Sequence, residues 1–174
     1  MESTDYVDEE KEVAVADFDA AAYPEEQAGG HVYALVVSLH AVVGIHPPNA
    51  MLLPVTVKGE RFLTLLNSGS THTFIKGAAM HRIGLAPAGG EHLRIQVANG
   101  DHMTCEGVAR NVPIYIGDKD FTVTGVGINL GAFDVILGFD FIRTLGPVLW
   151  DCDALTMEFM REGRCVTWQG VLGP

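Results

Sequence analysis

The segment Leu65-Leu66-Asn67-Ser68-Gly69-Ser70-Thr71-His72-Thr73-Phe74-Ile75 concentrates side chains that could do chemistry. Two hydroxyls, Ser68 and Ser70, stand close in sequence to the imidazole of His72. A serine hydrolase needs a nucleophile, a base and an orienting group, but no nucleophile elbow frames either serine. His72 therefore reads as a surface or helix-start residue. The seven histidines show no HxH or HExxH spacing, so no metal site is expected. Cys105, Cys152 and Cys165 are an odd number with no CxxC pair, which argues against a disulfide scaffold. They read as small buried apolar residues. Gly125-Val126-Gly127-Ile128-Asn129-Leu130 begins like a dinucleotide fingerprint but lacks the third glycine, and no convincing helix follows it. It reads as strand and loop, and no cofactor is expected.

The elements that must position these residues are short strands. His31 to Gly44 is β-branched and partly alternating, which predicts a strand. Ile45 to Asn49 is a connector. Met51 to Val57 and Arg61 to Leu66 flank a tight turn at Lys58-Gly59-Glu60, with Pro54 suggesting a sheet edge or strand start. The second of these strands runs directly into Asn67. Phe74 to Leu85 can form a short helix stopped by Gly84. Within His92 to Val108, alternating runs flank Asn99-Gly100, the strongest short hairpin signal. A second hairpin is predicted from Val112–Ile116 and Phe121–Ile128, turning at Gly117-Asp118-Lys119. Asp134 to Gly138 is a short buried strand and Phe139 to Leu145 a short helix. A third hairpin joins Leu155–Met160 to Cys165–Gln169 through Glu162-Gly163. The pattern is mainly β, as a barrel of short strands and hairpins with one or two short helices.

Asn67-Ser68-Gly69-Ser70, delivered by the apolar strand before it, resembles the active-site loop of retropepsins, the aspartic proteases whose loop reads Asp-(Ser/Thr)-Gly-(Ser/Ala). Asp134 to Ile142 resembles the family's second element, an apolar pair with glycine followed by a helix, here Ile136-Leu137-Gly138. The Asn99-Gly100 hairpin falls where the family keeps its flap. Val37-Ser38-Leu39-His40-Ala41 and Leu145 to Asp151 resemble segments of plant gypsy-type retrotransposon proteases. The likeness covers about residues 31–172. Without it, Leu65 to Phe74 would pass as an ordinary strand and turn.

The resemblance implies a retropepsin-like acid-protease barrel that is homodimeric. Peptide hydrolysis at such a site uses two carboxylates at close range, which share one proton and so act as base and acid. A chain with one such loop supplies one carboxylate, and a twofold partner must supply the other. Asn67 would stand at the catalytic position. Ser68 would hydrogen-bond across the dimer axis, Gly69 would let the backbone approach the catalytic group, and Ser70 would bond the catalytic side chain from outside. Val97, Ala98, Asn99, Gly100, Asp101, His102 and Met103 would form the flap over a peptide or polyprotein substrate. Asp134 and Asp140 look like loop or helix-capping groups. An amide cannot act as a base, so the chain as written is expected to lack useful peptidase activity. A deliberate Asp→Asn exchange, favoured by the intact loop, or natural loss in a domesticated element would each account for Asn67. A non-enzymatic dimer that binds a host protein partner or peptide in the flap cleft is the competing reading.

The rest of the chain bounds these expectations. The net charge of -11 is uneven, because residues 1–30 hold ten acids and one base. That stretch reads as an acidic, disordered tail before a retropepsin-like domain at 31–174. No basic stripe suited to nucleic acid is present. The most apolar run, Val32 to Ile45, is too short to span a bilayer. The acidic start does not read as a secretory signal. The protein is expected to be intracellular, cytoplasmic or nuclear, with no membrane partner.

Overall fold

The structure, a computed structural model, describes residues 33–37, 50–97 and 100–171. The expected tail at 1–30, the strand beyond Val37, the connector at 45–49, and Ala98 and Asn99 lie outside these residues.

The molecule is mainly β. Six strands close into a barrel in the order β2-β3-β9-β4-β8-β7. They are β2 (Ala50–Val57), β3 (Glu60–Asn67), β4 (Phe74–Lys76), β7 (Val108–Ile116), β8 (Lys119–Ile128) and β9 (Val135–Leu137). A sheet of β1 (Tyr33–Val37), β5 (Leu93–Val97) and β6 (His102–Met103) lies beside it. A second sheet holds β10 (Val148–Asp151), β11 (Thr156–Arg161) and β12 (Arg164–Gln169). Two short helices complete the fold: α1 (Gly77–Arg82) and α2 (Phe139–Ile142), the latter continued by a 3-10 turn at Arg143–Leu145.

Local chemistry accounts for the turns. Lys58 and Gly59 both have positive φ, 48° and 82°, as do Glu162 and Gly163, 52° and 76°. Two successive left-handed residues suit the two-residue hairpins that twist with their strands. Pro54 does not start its strand, but its side toward β7 is a local edge. It lies inside β2 opposite Leu63, at a point where the ladder from β2 to β7 has not begun; that ladder starts at Val55. A residue without an N–H is tolerated there.

The period-2 alternation of the barrel strands divides the core in two. Met51, Leu53, Val55 and Val57 of β2 join Phe62, Leu66, Val135 and Leu137 in one cluster, with α1, α2 and the terminal sheet. Ala50, Leu52, Leu65, Phe74 and Ile136 face the other way and pack with Leu35, Val37, Ile95 and Val97 of the first sheet. Each fully buried large apolar side chain is worth about 1.5–3 kcal/mol. The barrel thus serves as a shared wall between the two sheets.

Three expectations about these elements and thiols need correction, and one strand was not expected. Phe74 to Lys76 is not helical: it forms β4, parallel to β8 and antiparallel to β9. Phe74 and Ile75 are buried in different clusters, which a strand allows and one helix face does not. The return arm of the Asn-Gly hairpin stops at Met103, because Glu106 N–H donates to Gly127 and the chain turns toward β8 at Gly107, φ 111°. Val148 to Asp151 forms a strand that its composition did not announce. Cys105 is half-buried, and Cys152 and Cys165 are exposed, so none is a core residue.

Candidate active site

β9 lies between β3 and β4 in the barrel, parallel to β3 and antiparallel to β4. The chain leaving β3 must therefore cross the end of β9 before it enters β4. Residues 67–73 make that crossing, directly over Gly138 and the start of α2. Phe139 N–H donates to Ser70 O at 2.8 Å and Asp140 N–H to Thr71 O at 3.1 Å. A Cβ on Gly138 would lie 2.0 Å from His72 O and 2.8 Å from Ser70 O. Only glycine fits, because the crossing loop rests on the bare backbone.

The loop folds on itself around Asn67. The side chain is fully buried at the last position of β3. Its Oδ1 accepts from Gly69 N–H at 2.9 Å, and its O accepts from Ser70 N–H at 3.3 Å. Its Nδ2 has no hydrogen-bond partner. Ser68 and Gly69 are exposed at the tip, whereas Ser70 is buried. The loop thus holds the Asn67 side chain through Oδ1 and leaves its buried Nδ2 unpartnered.

Asp140 anchors the far end of the crossing. It accepts from Thr73 Oγ1 at 2.8 Å and from Thr73 N–H at 3.2 Å, while Phe141 N–H donates to it at 2.7 Å. Thr73 Oγ1 in turn accepts from Gly138 N–H at 3.3 Å. Asp134 joins the other end of β9 to β3, with its carboxylate accepting from Leu63 N–H at 3.1 Å. Both aspartates therefore hold backbone, as their loop and capping character suggested. The role of Thr73 was not legible, because a lone threonine after a turn carries no distinctive spacing.

His72 departs from expectation. It is buried at 5 % exposure rather than on the surface. Its Nδ1 lies 2.8 Å from Thr71 Oγ1. Burial lowers its pKa to about 4, so it is neutral at pH 7. It packs within the loop beside the Thr71 hydroxyl.

The hairpin expected as a flap is present in its described part. Ile95 pairs with Met103 and Gln96 with His102, Val97 N–H donates to Asp101 O at 2.7 Å, and Gly100 turns with φ 96°. His102 and Met103 also border a cleft of about 690 Å³ against Gly90 to Arg94. Burial pushes the Cys105 thiol pKa up at the foot of this hairpin. The structure thus brings Asn67, Ser68, Gly69 and Ser70 together with Ile136, Leu137 and Gly138. Among the described residues no three His, Cys, Asp or Glu side chains cluster to hold a metal. No described helix is long and apolar enough to cross a membrane.

Comparison with known proteins bears on this arrangement. Residues 33–162 match the family model described as retroviral aspartyl protease. Among solved structures, the fold is similar to the retroviral protease-like domain of Ddi1 from Leishmania major. That match has a TM-score of 0.53 at 12 % identity, over 71 % of this chain and 91 % of that one. A retropepsin-like aspartic protease from Rickettsia conorii aligns with a TM-score of 0.41 at 14 % identity, over 59 % of this chain and 76 % of that one. None of the curated proteins compared matches this chain.

Proposed function

This chain belongs to the retroviral aspartyl protease family, and from that premise we propose that it is a retropepsin-type endopeptidase domain whose site is completed by a second copy. Asn67 takes the catalytic aspartate position in each copy, and the site lies on the twofold axis. The observation that carries this reading is the seat of Asn67: a buried polar side chain whose Oδ1 is held by Gly69 N–H at 2.9 Å. A carboxylate in that seat would receive the same bond, and its second oxygen would take the place of the buried, unpartnered Nδ2. Two such groups across an axis would share a proton and divide the base and acid roles.

With asparagine in both copies neither role is filled, and the chain as written is inactive. Loss of general acid–base catalysis alone costs roughly 10²- to 10⁴-fold. The gypsy-like segments support an origin in a plant retrotransposon or a host gene derived from one. The natural substrate would then be a polyprotein. The test is the Asn67→Asp chain, assayed on a peptide library between pH 4 and 7, beside a mass determination in solution. Acid-favoured, pepstatin-sensitive cleavage by a particle of about twice the 18.7 kDa chain mass is expected. A folded Asn67→Asp dimer without cleavage would count against the reading.

The amide itself favours a second reading, a dimer that holds a partner peptide under the flap without cutting it. Substituting Gly100 at the flap turn should then abolish partner recovery in a pull-down, and unchanged recovery would remove the cleft from consideration.

A further inference from the structure

One strand touches both the Asn67 loop and the flap. β1 pairs in parallel with β5, the outgoing arm of the flap, and Val36 lies opposite Gln96. On its other edge Val36 meets Thr71, four residues after Asn67. Thr71 N–H donates to Val36 O at 2.9 Å, and Val36 N–H donates to Thr71 Oγ1 at 2.9 Å. Both backbone groups of Val36 are thus satisfied by one residue of the loop, with a hydroxyl standing in for a carbonyl. Gln96 pairs onward with His102 on the return arm. A continuous row therefore runs from the loop through β1 to both arms of the flap: Thr71, Val36, Gln96, His102. The hydroxyl also lies 3.3 Å from Val36 O and 2.8 Å from His72 Nδ1, so it cannot rotate freely away from β1.

We infer that Thr71 is a positioning residue that sets the flap's base against the Asn67 loop through Val36. It deepens the peptidase reading and rests on it for the word flap, but the mechanical link stands on the hydrogen bonds alone. A valine at 71 keeps the shape and removes the acceptor, leaving Val36 N–H without its partner. A serine restores the acceptor.

Hydrogen–deuterium exchange of the chain as given tests the link. Thr71→Val is expected to raise exchange of segments 33–37 and 93–103 roughly tenfold, with β2 and β3 unchanged. Thr71→Ser is expected to exchange like the parent. Unchanged exchange at 33–37 and 93–103 in Thr71→Val would overturn the inference. So would equal opening of the barrel strands, which would make Thr71 a general folding residue. In the Asn67→Asp chain, Thr71→Val should raise KM roughly fivefold with a smaller change in kcat. An inactive Asn67→Asp chain would weigh against the peptidase reading, while the exchange result would still decide the role of Thr71.

Discussion

Asn67 donates to nothing from Nδ2 while its Oδ1 is held by Gly69. A buried donor left unmade costs about 1–3 kcal/mol, so the seat is under-satisfied within one copy. His72, five residues on, gives the loop a pH dependence. Its folded pKa of about 4 lies below the ordinary 6.5 because burial disfavours the charged imidazolium. Between these values the unfolded chain binds more protons than the folded one. The contribution is therefore complete above about pH 6.5 and is lost as pH falls toward 4, to the order of 3 kcal/mol. Urea unfolding at pH 7, 5.5 and 4.5 should show falling stability, and His72→Gln should flatten that slope. An active Asn67→Asp chain would consequently work in a narrow window, since acid favours the shared proton but erodes the loop. His72 looked like a surface residue in sequence because nothing in Ser70-Thr71-His72-Thr73 signals burial. The crossing over β9 buries it, and that crossing is a tertiary fact.

At the scale of elements, the short strand β9 and Gly138 decide whether the loop can form. Gly138→Ala would drive a methyl into His72 O and Ser70 O, where only backbone could yield. A loss of about 3 kcal/mol or more is expected, at the upper end of overpacking costs. Thermal unfolding would read this as a large fall in Tm, and an unchanged Tm would mean that the loop does not rest there. The hairpins were legible because their turns are written locally, in Lys58-Gly59, Asn99-Gly100 and Glu162-Gly163. Asn67 to Ser70 and Ile136 to Gly138 were legible as paired motifs, though their contact was not. β4 was misread because Phe74-Ile75-Lys76 is short and runs into a helical segment, and only its pairing with β8 and β9 makes it a strand. β10 was missed because Val148-Leu149-Trp150 has no clear alternation; its register against β11 buries Val148 and Trp150 partly and leaves Leu149 out.

For the whole molecule, the barrel wall with a sheet on either side places the thiols in unequal settings. Cys152 and Cys165 are exposed, whereas Cys105 is half-buried with its thiol pKa raised by burial. Iodoacetamide at pH 7.5 should therefore modify Cys152 and Cys165 well before Cys105, as read by peptide mass mapping. Faster reaction at Cys105 would mean that the foot of the β5–β6 hairpin opens readily. The barrel itself closes, with β2 joined to β7 over Val55 to Val57. The terminal sheet does not close, and among the described residues no strand covers the outer edge of β10, where Leu149 is 67 % exposed. Crowded or overexpressed chains would thus stick to one another along that rim rather than through the barrel. Pro147 before β10 and Asp151 at its end are residue types that oppose strand addition at such an edge.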